Sequence, residues 1–452
     1  MEQRRNDAQR LGEENITRLM IRFSLPSVLA MAVNASYNLA DTFFVSRLGS
    51  AAIAALSVAM PIQMLLGAIA IGTGVGAASL ISRSLGAGNN ETASRTAGQV
   101  ILLGLFFGLA AALAGVFFLR PLLALFGATA EIIDPTAEYM SVIAGGAVLL
   151  FLIMMMNHTV RAEGNAMLPM FVMISSAVVN IVLDPIFIFA LDMGVRGAAV
   201  ATILSKVFGV AVLLWFYLGG KSILHVGWKQ LQPDLKIIVE IYKVGLPSLF
   251  LQTSMQLALI VANRILGSFG YIPIAVMGLV MRFQMFVFMP VVGIAQGLLP
   301  IMGYNFGAQK YRRIREAILK GAGAGTLFSS LAGLLLFLFP TALLRIFTAE
   351  EAVLETGTGA VRVMVLMYPL VGTQIVSSTF FQAIGKGIPA MLLALLRQFI
   401  FYVPLLVILP AYFDLNGVWM AAPAADLLAF LVTVTVVTRE CKRLKIPIFG
   451  AP

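Results

Sequence analysis

The sequence has few of the residues that build disulfides, metal centres and active sites. It contains one cysteine and two histidines among 452 residues, so an internal disulfide cannot form and a metal site built from cysteines is not expected. It also carries no Walker A loop, no HExxH helix and no nucleophile elbow. The motifs that ATP-driven transport and the common hydrolase reactions require are therefore missing from the sequence. We predict neither an enzyme nor a bound cofactor.

Charged residues are scarce as well. They make up 12% of the sequence, whereas 60% is hydrophobic, and the mean hydropathy is +0.95. A soluble fold of this length cannot bury so much apolar surface, so the lipid bilayer is expected to be its solvent. The apolar runs are long and continuous and do not alternate over about ten residues, which predicts membrane-spanning helices and not a β-barrel.

Apolar windows of roughly 20 residues predict an all-α polytopic protein with twelve spans. We place the spans at 19–44, 51–81, 97–117, 137–160, 166–190, 195–217, 240–263, 273–302, 316–338, 357–382, 388–410 and 416–437. The domain boundaries that follow are a first lobe at 19–218, a linker at 219–239 and a second lobe at 240–437. The polar residues 1–18, which lack the apolar core of a secretory signal, and residues 438–452 are predicted to be terminal tails.

The distribution of lysine and arginine predicts which side of the membrane each loop occupies. Basic residues are concentrated in the N-terminal tail, in the linker, around 310–320 and in the C-terminal tail, where Cys441 also lies. By the positive-inside rule these segments are cytoplasmic, so both termini of this inner-membrane protein are expected inside. The same asymmetry accounts for the net charge of +10, and no nucleic-acid partner is predicted.

The two halves of the chain repeat each other at an offset of about 221 residues. The segment LPS at 25–27 recurs at 246–248, and GA at 86–87 recurs at 307–308. Each half holds six spans, an even number, so the halves are parallel repeats about a pseudo-twofold axis along the membrane normal. Such an arrangement favours transport by alternating access.

Ionisable residues inside spans are costly and usually functional. In the first half these are Asp41, Asp184 and Lys206. Counting about 1.5 Å per residue from the outer ends of spans 1, 5 and 6 places both aspartates and Thr202 at nearly the same depth. We therefore predict one polar cluster drawn from four helices, consisting of Tyr37, Asp41, Tyr139, Asn180, Asp184 and Thr202.

Each member of this cluster also has a simpler interpretation. Asp41 lies close enough to the outer interface to be wetted, and Asn180 and Thr202 alone would be ordinary interhelical hydrogen-bonding residues. The two tyrosines could equally belong to an aromatic belt. Asp184 is harder to explain in this way, because Pro185 follows it and a proline inside a span frees backbone carbonyls beside the carboxylate.

The remaining charges inside spans are mostly basic. Lys206 is expected to pair with a carboxylate or to face water, and Arg397 is expected to form a buried ion pair with Asp426. The repeat places Ala262 and Leu405 opposite the two aspartates of the first half, so the coupling site is predicted in the first half only. Residues predicted to line a substrate cavity are Tyr37, Tyr139, Lys206, Met154 and Arg282, methionine being chosen for its flexible, polarizable side chain.

Four segments of the chain resemble one known family. The stretch LPSVLAMAVNASYNLADTFFVSRLG at 25–49, the loop from Gly86, RAEGN at 161–165 and NIVLDPIFIF at 180–189 are similar to the multidrug and toxin extrusion family. The resemblance covers nearly the whole chain. Because the second half lacks the acidic coupling residues of other branches, the chain resembles most the prokaryotic branch akin to the DNA-damage-inducible F proteins.

The resemblance implies a twelve-span, two-lobed antiporter that expels cationic or amphipathic compounds in exchange for protons or sodium ions. By motif position it implies that Asp41, Asp184, Asn180 and Thr202 hold the cation. Carboxylate, amide and hydroxyl oxygens suit either ion, so the sequence leaves the coupling ion open. We expect a monomer whose partners are small molecules and the bilayer, with no cofactor beyond the coupling ion.

A second function remains open at this point. A flippase for lipid-linked saccharides, or for another amphipathic lipid, would be expected to line its cavity with arginines that hold phosphate groups. Arg282, Arg362 and Arg397 of the second half are the residues that keep this alternative under consideration.

Overall fold

The computed structural model describes residues 2–446, and within that range the regular structure is entirely helical. The first repeat contains α1 (Glu2–Glu13), α2 (Ile16–Ser46), α3 (Ser50–Gly86), α4 (Asn90–Phe117), α5 (Leu119–Leu125), α6 (Ile133–Gly145), α7 (Ala147–Ala162), α8 (Met167–Pro185) and α9 (Gly194–Leu218). The second contains α10 (Leu235–Gly267), α11 (Tyr271–Gly307), α12 (Tyr311–Leu338), α13 (Pro340–Leu344), α14 (Glu351–Met364), α15 (Tyr368–Ala383), α16 (Gly387–Leu395), α17 (Val403–Ile408) and α18 (Pro410–Arg443).

The prediction of twelve spans is confirmed. Within the described residues, ten helical segments are long and apolar enough to cross a membrane, and two bent helix pairs bring the number to twelve. The bent pairs are α6 with α7 and α14 with α15, and both bend by 54°. Each pair stands where a single straight span, the fourth and the tenth, is predicted from the sequence.

The internal repeat is also visible in the helices themselves. Helices α3 and α11 both have 37 residues, and α4 and α12 both have 28. Their first residues, 50 and 271, and 90 and 311, are 221 positions apart. Each repeat also has a π-helical turn in its fifth span, Ile186–Ala190 after α8 and Leu396–Tyr402 between α16 and α17. The two halves therefore share one six-span architecture.

The chain forms two compact units, and their boundaries do not coincide with the repeats. Unit 1 consists of α1 and Leu29–Leu249, and unit 2 consists of Glu14–Val28 and the chain from Phe250 onward. The first half of α2 thus belongs to unit 2, and the first half of α10 belongs to unit 1. Prolines interrupt both helices near these points, Pro26 in α2 and Pro247 in α10.

Pairs of glycines explain how the exchanged half-helices pack. In unit 1, a Cβ on Gly76 would lie 2.1 Å from the carbonyl oxygen of Ile241, so α3 and the start of α10 touch backbone to backbone. Gly72, one turn away on α3, faces α10 in the same manner. In unit 2, Gly293 and Gly297 hold the same positions 221 residues later, and they face the start of α2. Small residues spaced by four let two helices approach this closely in a membrane.

The linker between α9 and α10 is bound to unit 1 by buried polar side chains. The Glu163 carboxylate accepts hydrogen bonds from the hydroxyl of Ser222 (2.6 Å) and from the backbone N–H of Ile223 (3.0 Å). The side-chain amide of Gln99 donates to the carbonyl of Gln232 at 2.7 Å. The linker and the first half of α10 are therefore part of the same packed unit.

Two segments predicted as terminal tails are more ordered than the sequence suggested. Residues 1–18 include α1 and the start of α2 at Ile16. At the other end α18 continues to Arg443, and Cys441 is fully buried on it. In the sequence, the basic residues around Cys441 make this turn look like a polar tail, because only one face of the helix is apolar there.

Candidate functional site

A polar cluster lies in the interior of unit 1. Asn180 and Asp184 stand one turn apart on α8, and neither side chain has measurable exposure. Thr202, on the neighbouring helix α9, is 6% exposed. The amide of Asn180 donates to Oδ1 of Asp184 at 3.3 Å and approaches Oγ1 of Thr202 at 3.4 Å, so it links the two helices.

Asp41 joins this cluster from α2. Its carboxylate interacts electrostatically with that of Asp184 and with the hydroxyl groups of Tyr37 and Tyr139. Tyr139, on α6, is buried and accepts a hydrogen bond from the side-chain amide of Gln63 at 3.2 Å. Four spans therefore bring together the six residues named from the sequence.

Three oxygen atoms in the cluster are buried without a hydrogen-bond partner among the described residues. They are Oδ1 of Asp41, Oδ1 of Asn180 and Oδ2 of Asp184. All three are acceptors, and a buried acceptor without a partner costs free energy. A proton on one of the carboxylates would supply a donor to a neighbouring acceptor, and a cation would take such oxygens as ligands. The arrangement can therefore bind a positive charge.

The backbone beside Asp184 is irregular, which helps to explain where the carboxylate lies. Pro185 has no N–H group, so the carbonyl one turn earlier in α8 loses its helical hydrogen bond. The helix then continues as the π-helical turn Ile186–Ala190. Such turns often occur at functional sites in helices, because they change the direction in which the neighbouring side chains point.

Lys206 does not have the partner expected from the sequence. It forms no ion pair with any residue that the structure describes; its ammonium lies over the ring of Tyr37, 5.0 Å from the centroid. A cation over an aromatic face is stabilised without a carboxylate. Among the residues that the structure describes, neither Asp41 nor Asp184 forms an ion pair with a basic side chain.

Two residues assigned to the substrate cavity make their described contacts with apolar side chains. Met154 packs against an apolar group of helices α3, α4 and α7 that includes Phe151 and Met155. Arg282 belongs to unit 2, where its guanidinium lies 5.9 Å from the ring centroid of Phe347. The assignment of both residues to a substrate cavity stays a prediction.

The other two arginines on which the flippase alternative depends, Arg362 and Arg397, have partners of their own. Nε of Arg362 donates to the carbonyl of Phe337 at 3.4 Å. Nε of Arg397 donates to Oδ1 of Asp426 at 2.5 Å, which confirms the predicted ion pair. Each of the three arginines predicted inside spans of the second half therefore has a described contact of its own.

Sequence reasoning missed three polar residues near the site. Gln63 was overlooked because the cluster was built around the ionisable residues of spans 1, 5 and 6, although Gln63 is a lone amide in the apolar helix α3. Asn34 and Asn38 are exposed on α2, and the amide of Asn38 bonds the carbonyl of Asn34 at 2.8 Å. Amides are costly against lipid, so this face of α2 is suited to a polar environment. The spacing of four residues between Asn34 and Asn38 could have identified this polar face from the sequence.

Comparison with known sequences gives one family. The family model described as MatE matches residues 26–186 and 247–408, one segment in each repeat. Multidrug export protein MepA of Staphylococcus aureus (strain MRSA252) is 28% identical over 425 residues, which cover 93% of each protein.

Comparison with solved structures gives the same fold. A MATE transporter in the bent conformation superposes with a TM-score of 0.92 at 28% identity, covering 97% of this chain and 98% of that one. A transporter of the MOP superfamily from Pyrococcus furiosus, in which reverse polarity of the binding pocket suggests a different function, superposes with a TM-score of 0.90 at 28% identity. That match covers 96% of this chain and 98% of the other.

Proposed function

The chain belongs to the MatE family of transporters, and from this premise we propose that it is a secondary active antiporter that exports cationic or amphipathic drugs. The coupling ion is a proton or a sodium ion, and it binds at Asp41, Asp184, Asn180 and Thr202. The export activity named for the relatives supports the substrate class, and the polar cluster of unit 1 supports the position of the ion.

The proposal depends chiefly on one observation: three buried acceptor oxygens of the polar cluster in unit 1 have no hydrogen-bond donor among the described residues. A protein interior rarely leaves such atoms unsatisfied. A proton on either carboxylate would turn an acceptor into a donor for its neighbours. A sodium ion would use the same oxygens as ligands, because hard cations take carboxylate, amide and hydroxyl oxygens.

Exchange follows from competition for the same negative charge. With both carboxylates ionised, the cluster attracts an organic cation; with the coupling ion bound, that attraction is lost and the cation is released. The ring of Tyr37 and the amides of Asn34 and Asn38 extend from the cluster along α2 and would contact the substrate. Alternating access then delivers the substrate to one side and the coupling ion to the other.

We also propose that both termini, the linker and the loop before α12 lie in the cytoplasm. Single cysteines at Lys229 and Arg312, introduced in a Cys441→Ser background, should react only with reagents that reach the cytoplasmic side. A cysteine at Glu131 should react from outside intact cells. Labelling of Lys229→Cys from outside would overturn this orientation.

The flippase alternative gains no support from the arginines on which it depended. Each of the three has a local partner in unit 2, and the cluster of unit 1 is acidic. We therefore place the antiporter ahead of the flippase.

The decisive experiment is transport by the purified, reconstituted protein. Proteoliposomes loaded with a cationic dye should export it when a proton or a sodium gradient is imposed, and the gradient that drives export identifies the ion. Asp41→Asn should abolish gradient-driven export, because asparagine keeps the shape of the side chain and removes its charge. Wild-type rates in Asp41→Asn would exclude this site.

A matched control separates loss of the site from general damage. Asp192→Asn makes the same chemical change in the same unit, at an exposed turn with φ of 52°. Asparagine adopts this conformation as readily as aspartate. The control should therefore transport at the wild-type rate, while both variants should be recovered from the membrane in equal amounts.

A further inference from the structure

The first turns of α12, in unit 2, carry a concentration of basic side chains. An open cavity of about 550 Å³ lies along them, lined by Arg312, Arg313, Arg315, Glu316, Leu319 and Lys320. Four of these six residues are basic, and the one acid, Glu316, is paired with Lys320 at 2.7 Å. The cavity therefore carries a net positive charge and suits an anion.

Two of the basic side chains are held in place by contacts within unit 2. Nη2 of Arg313 donates to the carbonyl of Glu14 at 2.5 Å, and Nζ of Lys320 donates to the hydroxyl of Thr17 at 2.6 Å. Arg312, in contrast, is exposed and makes no hydrogen bond or ion pair with any residue that the structure describes. Its guanidinium can therefore turn to a ligand in the cavity.

An exposed apolar face continues from the cavity along α12. Arg315 is followed at intervals of four residues by Leu319, Gly323, Leu327 and Leu331, which are all exposed. Residues spaced by four lie on the same side of a helix. A Cβ on Gly323 would have no atom within 4 Å, so the glycine leaves a notch between the leucines on either side of it. Because α12 is a membrane span, lipid chains cover this face.

In the first repeat the same place is filled by the chain itself. The offset of 221 residues puts Arg312, Arg315 and Lys320 opposite Glu91, Ser94 and Gln99. The hydroxyl of Ser94 accepts a hydrogen bond from the backbone N–H of His225 at 3.1 Å. The amide of Gln99 donates to the carbonyl of Gln230 at 3.1 Å. A Cβ on Gly98 would lie 2.1 Å from that carbonyl oxygen, so the linker packs directly onto α4. The fold therefore does not require cations at this position.

We propose that the cavity at the start of α12 binds the headgroup phosphate of an anionic phospholipid, whose acyl chain lies along Leu319, Gly323 and Leu327. Guanidinium groups bind phosphate oxygens through paired hydrogen bonds, and basic clusters where a span meets the membrane surface attract anionic lipids. The lipid is a bound partner of unit 2 and not a transported substrate. The proposal requires only that α12 spans the bilayer, so it is independent of the proposed export and of the coupling ion.

The test is binding of dioleoyl phosphatidylglycerol to the purified full-length protein, measured by native mass spectrometry, with dioleoyl phosphatidylcholine as the neutral reference lipid. The wild type should prefer phosphatidylglycerol. Arg312→Gln with Arg315→Gln should lower its affinity by about thirtyfold, since each basic residue at an anionic surface contributes about a fivefold factor. Lys442→Gln with Arg443→Gln removes the same charge from the exposed end of α18 and should bind like the wild type.

Arg312→Gln alone keeps the test decisive if the double variant cannot be purified. The side chain of Arg312 has no described contact to lose, so this variant should fold and should bind phosphatidylglycerol about fivefold more weakly. Affinity equal to that of the wild type would overturn the proposal.

A last variant distinguishes a lipid from a soluble phosphate. Gly323→Leu fills the notch, keeps every charge and suits a helix better than glycine does. It should weaken the binding of phosphatidylglycerol, whereas glycerol 3-phosphate, which lacks acyl chains, should not displace the lipid from the wild type. Displacement by an equal concentration of glycerol 3-phosphate would assign the cavity to a soluble anion and overturn the proposal. Unchanged affinity in Gly323→Leu would overturn the assignment of the acyl chain to this face.

Discussion

Asp184 in unit 1 and Asp426 in unit 2 are both buried carboxylates on helices of one repeated architecture, yet they are neutralised differently. Asp184 has only the amide of Asn180 as a donor, and its second oxygen has no partner among the described residues. Asp426 has the guanidinium of Arg397. One copy of the fold thus gives its acid no basic partner among the described residues, whereas the other supplies a cation from its own chain.

The largest effect is expected in the first unit, where the two aspartates should act as one site. Asp41→Asn and Asp184→Asn should each reduce gradient-driven export nearly as much as the double change, because losing either carboxylate dismantles the site. Export rates of the two single variants and the double variant, measured in proteoliposomes, form the test. If the export rate of the double variant falls by the product of the two single-variant reductions, the two carboxylates do not share an ion.

A smaller effect, on stability, is expected when the ion pair of the second unit is broken. Asp426→Ser alone leaves Arg397 without its carboxylate and should destabilise the protein by about 3 kcal/mol, the lower end for a buried pair because Arg397 is partly exposed. Removing both charges with Arg397→Ser and Asp426→Ser should cost less. Unfolding in detergent with graded denaturant measures both. A double variant less stable than the single one would assign the pair a structural role.

The smallest effect is expected for an ion pair outside both the polar cluster of unit 1 and the Arg397–Asp426 pair of unit 2. Arg120 and Asp134 bond at 2.7 Å, but their side chains are 65% and 67% exposed. Water screens such a pair, so Arg120→Gln should change the unfolding free energy by about 0.2–1 kcal/mol and leave export unchanged. The same denaturant series provides this value. A loss as large as that of Asp426→Ser would mean that exposure does not distinguish the two pairs.

The span pattern could be predicted from the sequence because it depends on the length of apolar runs. The bends of 54° in the fourth and tenth spans could not, since the apolar run continues through each break. The pair Gly145–Gly146 at the first break and Pro369 just after the second are signals of a helix break, but they do not give its angle. The exchange of half-helices between the two units could not be predicted from the sequence either, because it depends on contacts between residues far apart in the chain.

The candidate cluster could be predicted because depth follows from the residue count along straight helices. Counting placed Asp41, Asp184 and Thr202 in one layer, and the structure brings these side chains together. The partner of Lys206 could not be predicted, because the choice between a carboxylate and a tyrosine ring is made by the side-chain rotamer. The glycine pairs were visible in the sequence, but glycine spacing alone does not say which helix faces them.

The exchanged half-helices bear on how such a chain could arise. A polypeptide with one repeat alone would leave the groove along Gly72 and Gly76 unfilled, and the first half of its own first span would lack a partner. Two copies would complete each other by swapping these segments, as domain-swapped dimers do. A linker that joins the two copies would make the swap intramolecular. Each copy would then pack against the other and would no longer need a surface that fits an identical copy of itself. After such a fusion, a charge change in one copy is no longer imposed on the other, and an ancestral homodimer can become a protein with two unlike halves.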